Sequence, residues 1–219
     1  MNIGVIVDNE YTNDKRVERE AGILKDAGHS VYVLCFGFGA KVYPGQEGID
    51  ISRIRINRKV KDILFFFQNR LPAYEKMWSR NISSFIKEKN LDSLHVHDLY
   101  MSKAASEGIS NSGKKVSMVL DLHENYPFAV TSYNWSRGLV RNFLARPALW
   151  QKKEREYLGY ADKIIVLSED YRDALTQKYP ELPPGRFGII PNLPDIRIWK
   201  EGNEVTTRGI ISEGTTVVL

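Results

Sequence analysis

Short runs rich in Val, Ile and Leu alternate along the chain with segments whose apolar residues recur at three- and four-residue spacing. That alternation is the pattern of strands joined by helical crossovers. Residues 3–7 are the first predicted strand, and a polar loop at 8–13 leads into a helix capped near Asp14. Val17, Ala21, Leu24 and Ala27 lie at core spacing on that helix, and Gly28 is its stop. Residues 31–36 make a second strand; 49–56 make a third, in which Ile49, Ile51, Ile54 and Ile56 alternate with one irregular step over a basic outer face. Residues 61–89 are mostly helical and interrupted at Pro72, because proline lacks the N–H that a helix interior needs. A strand at 94–96, a helix at 101–112 and a strand at 116–120 follow. Beyond a long loop, 139–160 carries one or two helices broken at Pro147, then come a strand at 164–167, a helix at 169–179 and a strand at 187–190. Roughly seven strands with helical crossovers give an α/β fold class: a Rossmann-like, doubly wound, mainly parallel sheet flanked by helices.

Residues 1–195 are expected to form one domain, and 196–219 a linker ending in Thr215-Thr216-Val217-Val218-Leu219, the first strand of a second domain that is missing. With 219 residues, 42% apolar and 26% charged, the chain is long enough to bury a sizeable core. Its single cysteine, Cys35, sits in an apolar strand and is expected to be a small buried side chain. The start lacks a basic leader and the densest apolar run, 63–67, is too short to span a bilayer, so a cytoplasmic protein is expected. Net charge is +4, and Arg53, Arg55, Arg58, Lys59 and Lys61 crowd the stretch before Phe65, Phe66 and Phe67. Residues 53–78 are therefore expected to meet an anionic lipid surface or a phosphate, with peripheral contact at the inner face of a membrane. No nucleic-acid reader motif accompanies the charge, and nucleic acid is excluded as a partner. Three successive phenylalanines cannot share one helical face, so at least one is expected to be exposed or packed beneath another element, with core packing for the other two.

Ligands of open α/β sheets bind outside the carboxyl ends of the strands, where loops diverge and helix N-termini point inward. The polar residues just past the predicted strands are Asp8-Asn9-Glu10, His97-Asp98, His123-Glu124, Ser168-Glu169 and Asn192. Asp14, Asp98 and Ser168 also fit as helix caps. His95 and His97 alternate on a strand, but no third ligand stands at tight spacing; no metal is expected, and one buried and one exposed histidine are. Gly108 to Lys115 approaches a phosphate-binding loop, yet it ends in Lys115 where Ser or Thr is needed and runs from helix to strand, the wrong way round.

Four stretches carry a family resemblance: Asn13 to Val31; His95-Val96-His97-Asp98-Leu99; Asp121-Leu122-His123-Glu124-Asn125-Tyr126-Pro127; and Ala161 to Ser168 with Ile190-Pro191-Asn192. In this order, over about residues 1 to 195, the chain resembles the N-terminal domain of the retaining family 4 glycosyltransferases. The resemblance implies the N-terminal half of a GT-B fold, a nucleotide-diphosphate sugar as donor, a saccharide or lipid-linked acceptor, no metal or other cofactor, and a C-terminal donor-binding domain beyond residue 195. It implies a role in polysaccharide or glycoconjugate synthesis, with a fragment of this length inactive alone. It also places His123 near the donor sugar, and the loop after the first strand, with Asn9, Glu10, Asn13 and Asp14, against donor phosphates or acceptor. Many members carry a glycine-rich loop there, which this chain lacks. Glycosyl transfer builds positive charge on the sugar ring and negative charge on the departing diphosphate. His123, Asp98 and Glu124 are the catalytic candidates, His123 as partner of a sugar hydroxyl and Asp98 or Glu124 as orienter of the acceptor hydroxyl. Arg16 is expected to face the phosphates, and His97, Tyr126, Ser168 and Asn192 to join the binding set. A GT-B type sugar-nucleotide epimerase and a stand-alone α/β binding module are the alternatives.

Overall fold

The structure is a computed structural model and describes residues 1–12, 14–39, 47–133, 136 and 138–191. Asn13 and Asn192 lie outside the described residues, as do the expected linker and the strand at 215–219. Seven strands form one sheet: β1 (Asn2–Ile6), β2 (Ser30–Gly37), β3 (Asp50–Arg55), β4 (Ser93–His97), β5 (Ser117–Asp121), β6 (Lys163–Val166) and β7 (Phe187–Ile189). Their order is β3-β2-β1-β4-β5-β6-β7, and every neighbouring pair is parallel. The chain first winds outward from β1 to β3 and then returns to β4 on the other side of β1. The loops therefore diverge above β1 and β4, opening a crevice at their carboxyl ends.

Eight α-helices connect the described strands: α1 (Lys15–Asp26), α2 (Arg58–Phe66), α3 (Ala73–Lys89), α4 (Ser102–Ser112), α5 (Tyr126–Ala129), α6 (Leu139–Ala145), α7 (Leu149–Gly159) and α8 (Glu169–Lys178). Asp14 caps α1 by accepting from the Val17 N–H at 3.3 Å, as its position in the sequence predicts. The expected break at Pro72 separates α2 from α3, and that at Pro147 separates α6 from α7. The expected loop after β5 contains one turn of helix, α5, where Pro127 fits because first-turn N–H groups have no intrahelical partner.

Strand residues alternate between two cores. Ile6, Leu34, Phe36, Leu94, Val96, Leu120 and Ile164 face α3, α4, α7 and α8, with Trp78 and Trp150 fully buried among them. Val5, Val7, Val31, Val33 and Cys35 face Val17 and Ala21 of α1 in a smaller core. His95, His97 and Asp121 lie on this α1 side, out of phase with the larger core. Phe65, Phe66 and Phe67 depart from expectation, since all three are half-buried and none reaches either core fully. α2 buries none of its residues, so Phe65 instead packs edge-on to Tyr74 and Tyr100 while Phe66 and Phe67 pack on each other.

Candidate active site

The carboxyl ends of β4 and β5 bring His97 and His123 together, Nδ1 of the first standing 2.8 Å from Nε2 of the second. Parallel pairing sets His97 opposite Asp121, so the residue two past Asp121 rises over the rim beside the residue that ends β4. His97 is fully buried; the His123 side chain keeps 22% of its surface exposed. Burial holds the His97 pKa well below its ordinary value, keeping that ring neutral. Burial would also lower that of His123, but the nearby Asp121 carboxylate and the charge of Asp98 outweigh it, and the net shift is upward. His123 Nε2 and Nδ1 of the neutral His97 thus share one hydrogen bond, and the Nδ1 edge of His123 faces Asp98 Oδ1 at 3.7 Å.

Beneath the pair lies an ionic cluster. Arg16, its side chain only 10% exposed, donates from Nη2 to Asp121 Oδ1 at 2.7 Å and from Nε to Glu20 Oε1 at 2.8 Å. Asp121 Oδ2 stands 3.6 to 3.8 Å from ring nitrogens of His95, His97 and His123. Desolvation would raise the Asp121 pKa, yet the imidazoles of His123 and His95 close beside its carboxylate prevail and lower it; burial and the Asp121 charge raise that of Glu20. The expected pairing of one buried and one exposed histidine is corrected: His95 and His97 are both buried, their rings stacked at 4.6 Å. Alternate residues share a face, and α1 lays Arg16 and Glu20 over it.

Folding also supplies the neighbours whose absence argued against a metal. One donor atom each from Glu20, His97, Asp121 and His123 lie within 4.8 Å of one another. Glu20 Oε2, Asp121 Oδ2, His95 Nε2 and His97 Nε2 make no hydrogen bond to the protein. A divalent ion here would share both carboxylates with the Arg16 guanidinium, beneath the rim.

A second group forms the crevice wall. Asp98 has φ +71° and ψ 138°, a conformation that L residues avoid, and its N–H donates to the Asp121 carbonyl at 3.0 Å. Tyr100 Oη donates to Asp98 Oδ2 at 3.1 Å. Burial, partly offset by His123, raises the Asp98 pKa to about 6. Asp8, at the end of β1, accepts from the Tyr74 hydroxyl at 2.5 Å and pairs with Lys61 at 3.3 Å.

The other candidates are placed differently. Arg16 is turned to Asp121 and Glu20 within the fold, so its charge is balanced before any phosphate arrives. Asn9 bonds Asp14 and the Tyr11 N–H, which closes the loop after β1, while Glu10 pairs with Arg58. Glu124 accepts from the Tyr133 hydroxyl, Tyr126 packs against Tyr100 and Trp150, and exposed Ser168 caps α8 by accepting from the Tyr171 N–H. Glu20, Tyr74, Tyr100 and Asp121 were not singled out as site residues from sequence; Asp8 was named only as a polar rim position and Lys61 only within the basic stretch. The Arg16-x-x-x-Glu20 spacing was a readable signal that these two share a helix face.

A seven-stranded parallel sheet whose switch-point crevice carries polar strand ends is the Rossmann-like architecture of a GT-B half. The chain belongs to Glycosyltransferase Family 4, whose model matches residues 15–197. Its fold is similar to a sucrose-phosphate synthase from Thermosynechococcus elongatus, at 14% identity and TM-score 0.61, over 90% of this chain and 49% of that one. It is also similar to the lipopolysaccharide outer core galactosyltransferase WaaB, at 14% identity and TM-score 0.56, over 90% and 47%. A third is Os79 from O. sativa in complex with UDP and deoxynivalenol-3-glucoside, at 11% identity and TM-score 0.56, over 92% and 57%. The chain spans about half the length of the first of these solved structures. No curated protein matches it. No described helix is long and apolar enough to cross a membrane.

Proposed function

We propose that this chain is the acceptor-side half of a GT-B glycosyltransferase that moves a sugar from a nucleotide-diphosphate donor to a saccharide or lipid-linked acceptor, with retention of configuration. Residues 1–195 are this half, and 196–219 lead into the donor-binding half. The carrying observation is the His97–His123 contact at 2.8 Å, which holds a partly exposed imidazole at the crevice with its Nδ1 edge toward Asp98. In this reading the C1–O bond to the diphosphate breaks, its electron pair leaves with the phosphate, and the acceptor oxygen bonds to C1 while its proton passes to the departing phosphate. His123 holds a hydroxyl of the donor sugar, and Asp98 accepts a hydrogen bond from the acceptor hydroxyl as its oxygen attacks. No metal takes part in this reading. The work belongs to cytoplasmic polysaccharide or glycoconjugate assembly. UDP in the Os79 complex and family membership support the donor class.

The test uses the protein carrying both halves. His123→Ala is expected to lower kcat by about 10² to 10⁴, the range for losing a positioned polar catalyst, with an unchanged circular dichroism spectrum. Wild-type turnover in a folded His123→Ala enzyme would remove the imidazole from the mechanism.

A further inference from the structure

We propose that the face built from α2, the turn at 67–72 and α6 docks on an anionic lipid bilayer. Charge along the chain is strongly segregated. Residues 51–74 and 125–153 together carry eleven Lys and Arg and a single acid, Asp62, whereas the remaining sequence holds twenty basic and twenty-six acidic residues. The excess of positive charge therefore comes from these two segments alone.

The fold joins them. Arg70, at the end of the first, donates from Nε to the Leu144 carbonyl at 2.8 Å and from Nη2 to the Phe143 carbonyl at 2.6 Å, and its guanidinium lies 5.0 Å from the centre of the Phe143 ring. Asn69 donates to the carbonyls of Ala145 and Arg146. These bonds satisfy the open carbonyl end of α6 and fix that helix beside the turn.

Held there, α6 is inside out. Leu139, Val140 and Phe143 are 93%, 71% and 69% exposed, while Ala145 is its one buried residue. Across the turn, Leu71, Ile63 and Val60 are also exposed. A helix of a water-soluble surface turns such residues inward. Apolar side chains outward with Arg and Lys around them is instead the composition of an interfacial helix, whose apolar residues enter the acyl boundary while the cations meet headgroups. A second copy of this chain fits poorly, since both copies would bring the same positive charge to the contact. The phosphate backbone of a nucleic acid would leave the apolar residues in water.

Lipid docking is independent of the transferase reading, because vesicles contain neither donor nor acceptor. The 219-residue protein is sedimented with vesicles of phosphatidylcholine containing about 30% phosphatidylglycerol, and with pure phosphatidylcholine. Binding is expected only to the anionic vesicles, weakening at high salt. Leu139→Glu with Phe143→Glu, and separately Lys59→Glu, are expected to weaken it at least about tenfold at unchanged melting temperature. Ile23→Glu, an exposed apolar residue on α1, is expected to bind as wild type. No sedimentation with anionic vesicles at low salt, equal binding by the α6 variant, or equal loss in Ile23→Glu would overturn the proposal. So would patch variants that only convert a dimer to a monomer, or that lose binding to an RNA while wild type ignores vesicles.

Discussion

Asp98 combines two features rarely found together, a backbone conformation unfavourable for its side chain and a carboxyl whose pKa is raised to about 6, chiefly by burial. A carboxyl that binds its proton more tightly folded than unfolded disfavours folding once it ionises. The sign follows: Asp98 is neutral and harmless below its unfolded pKa of 3.8, and stability falls as pH rises from there through about 6. Asp98→Asn is expected to stabilise the protein at pH 7 by about 1–2 kcal/mol, the shift taken at 1.36 kcal/mol per unit and reduced for a side chain that still meets solvent. The same variant should lose the acid limb of kcat/KM near pH 6 and turn over more slowly. Denaturant melts across pH 4 to 8 check the first expectation. An unchanged slope would mean that the carboxyl is solvated. His123 acts in the same direction: its raised pKa supplies stability that is full below its unfolded value and is lost as pH rises through the folded one. The imidazoles at 97 and 123 were legible as rim residues because each follows a run of strand residues. Glu20 and Asp121 were not, since no local pattern says which strands α1 will cross.

At the scale of elements, α3 and α4 meet at Gly108, and the contact is closer than a methyl allows. A Cβ there would stand 2.7 Å from Ile82 Cγ2, 2.9 Å from Ile82 Cβ and 3.1 Å from the Ser79 carbonyl oxygen. Ile82 is fully buried beneath the sheet and has nowhere to retreat. Alanine in a helix gains about 1 kcal/mol of propensity over glycine, but overpacking a filled contact costs about 1–3 kcal/mol. Gly108→Ala is therefore expected to lower stability by up to about 2 kcal/mol, read as a fall in melting temperature. A stabilised variant would show that the helices can separate freely. From sequence Gly108 stood out only as the start of a false phosphate loop. The strands were legible because period-two burial and β-branched residues mark them, and proline marked both helix breaks. α5 escaped because a single turn has no period to detect. α6 escaped in another way: its existence was anticipated, but its outward apolar face contradicts the rule by which helices are oriented.

For the molecule as a whole, the sheet separates a large core of four principal helices from a small one that, among the described residues, α1 covers, and Cys35 lies in the small one. The sequence placed this thiol inside; which core would hold it depended on strand order and crossover side, which no single segment encodes. Cys35 is fully buried, and burial, only partly offset by Arg53, raises its pKa to about 12. Thiol reagents attack the thiolate, so at pH 8 both access and ionisation protect it. In native buffer, labelling is expected to be at least about 10³-fold slower than in denaturant, in keeping with a domain several kcal/mol stable. The denaturant dependence of the rate then distinguishes two kinds of opening. If α1 and the sheet unfold as one unit, the slope matches that of global unfolding; if α1 lifts away alone, labelling is nearly independent of denaturant. We expect the global slope, because Arg16 ties α1 to Asp121 of β5 through a buried ion pair whose carboxylate would be left unpaired by its release. Arg16→Met should then uncouple α1 and flatten the slope, and a flat slope in wild type would show that the ionic cluster does not bind the two cores into one cooperative unit.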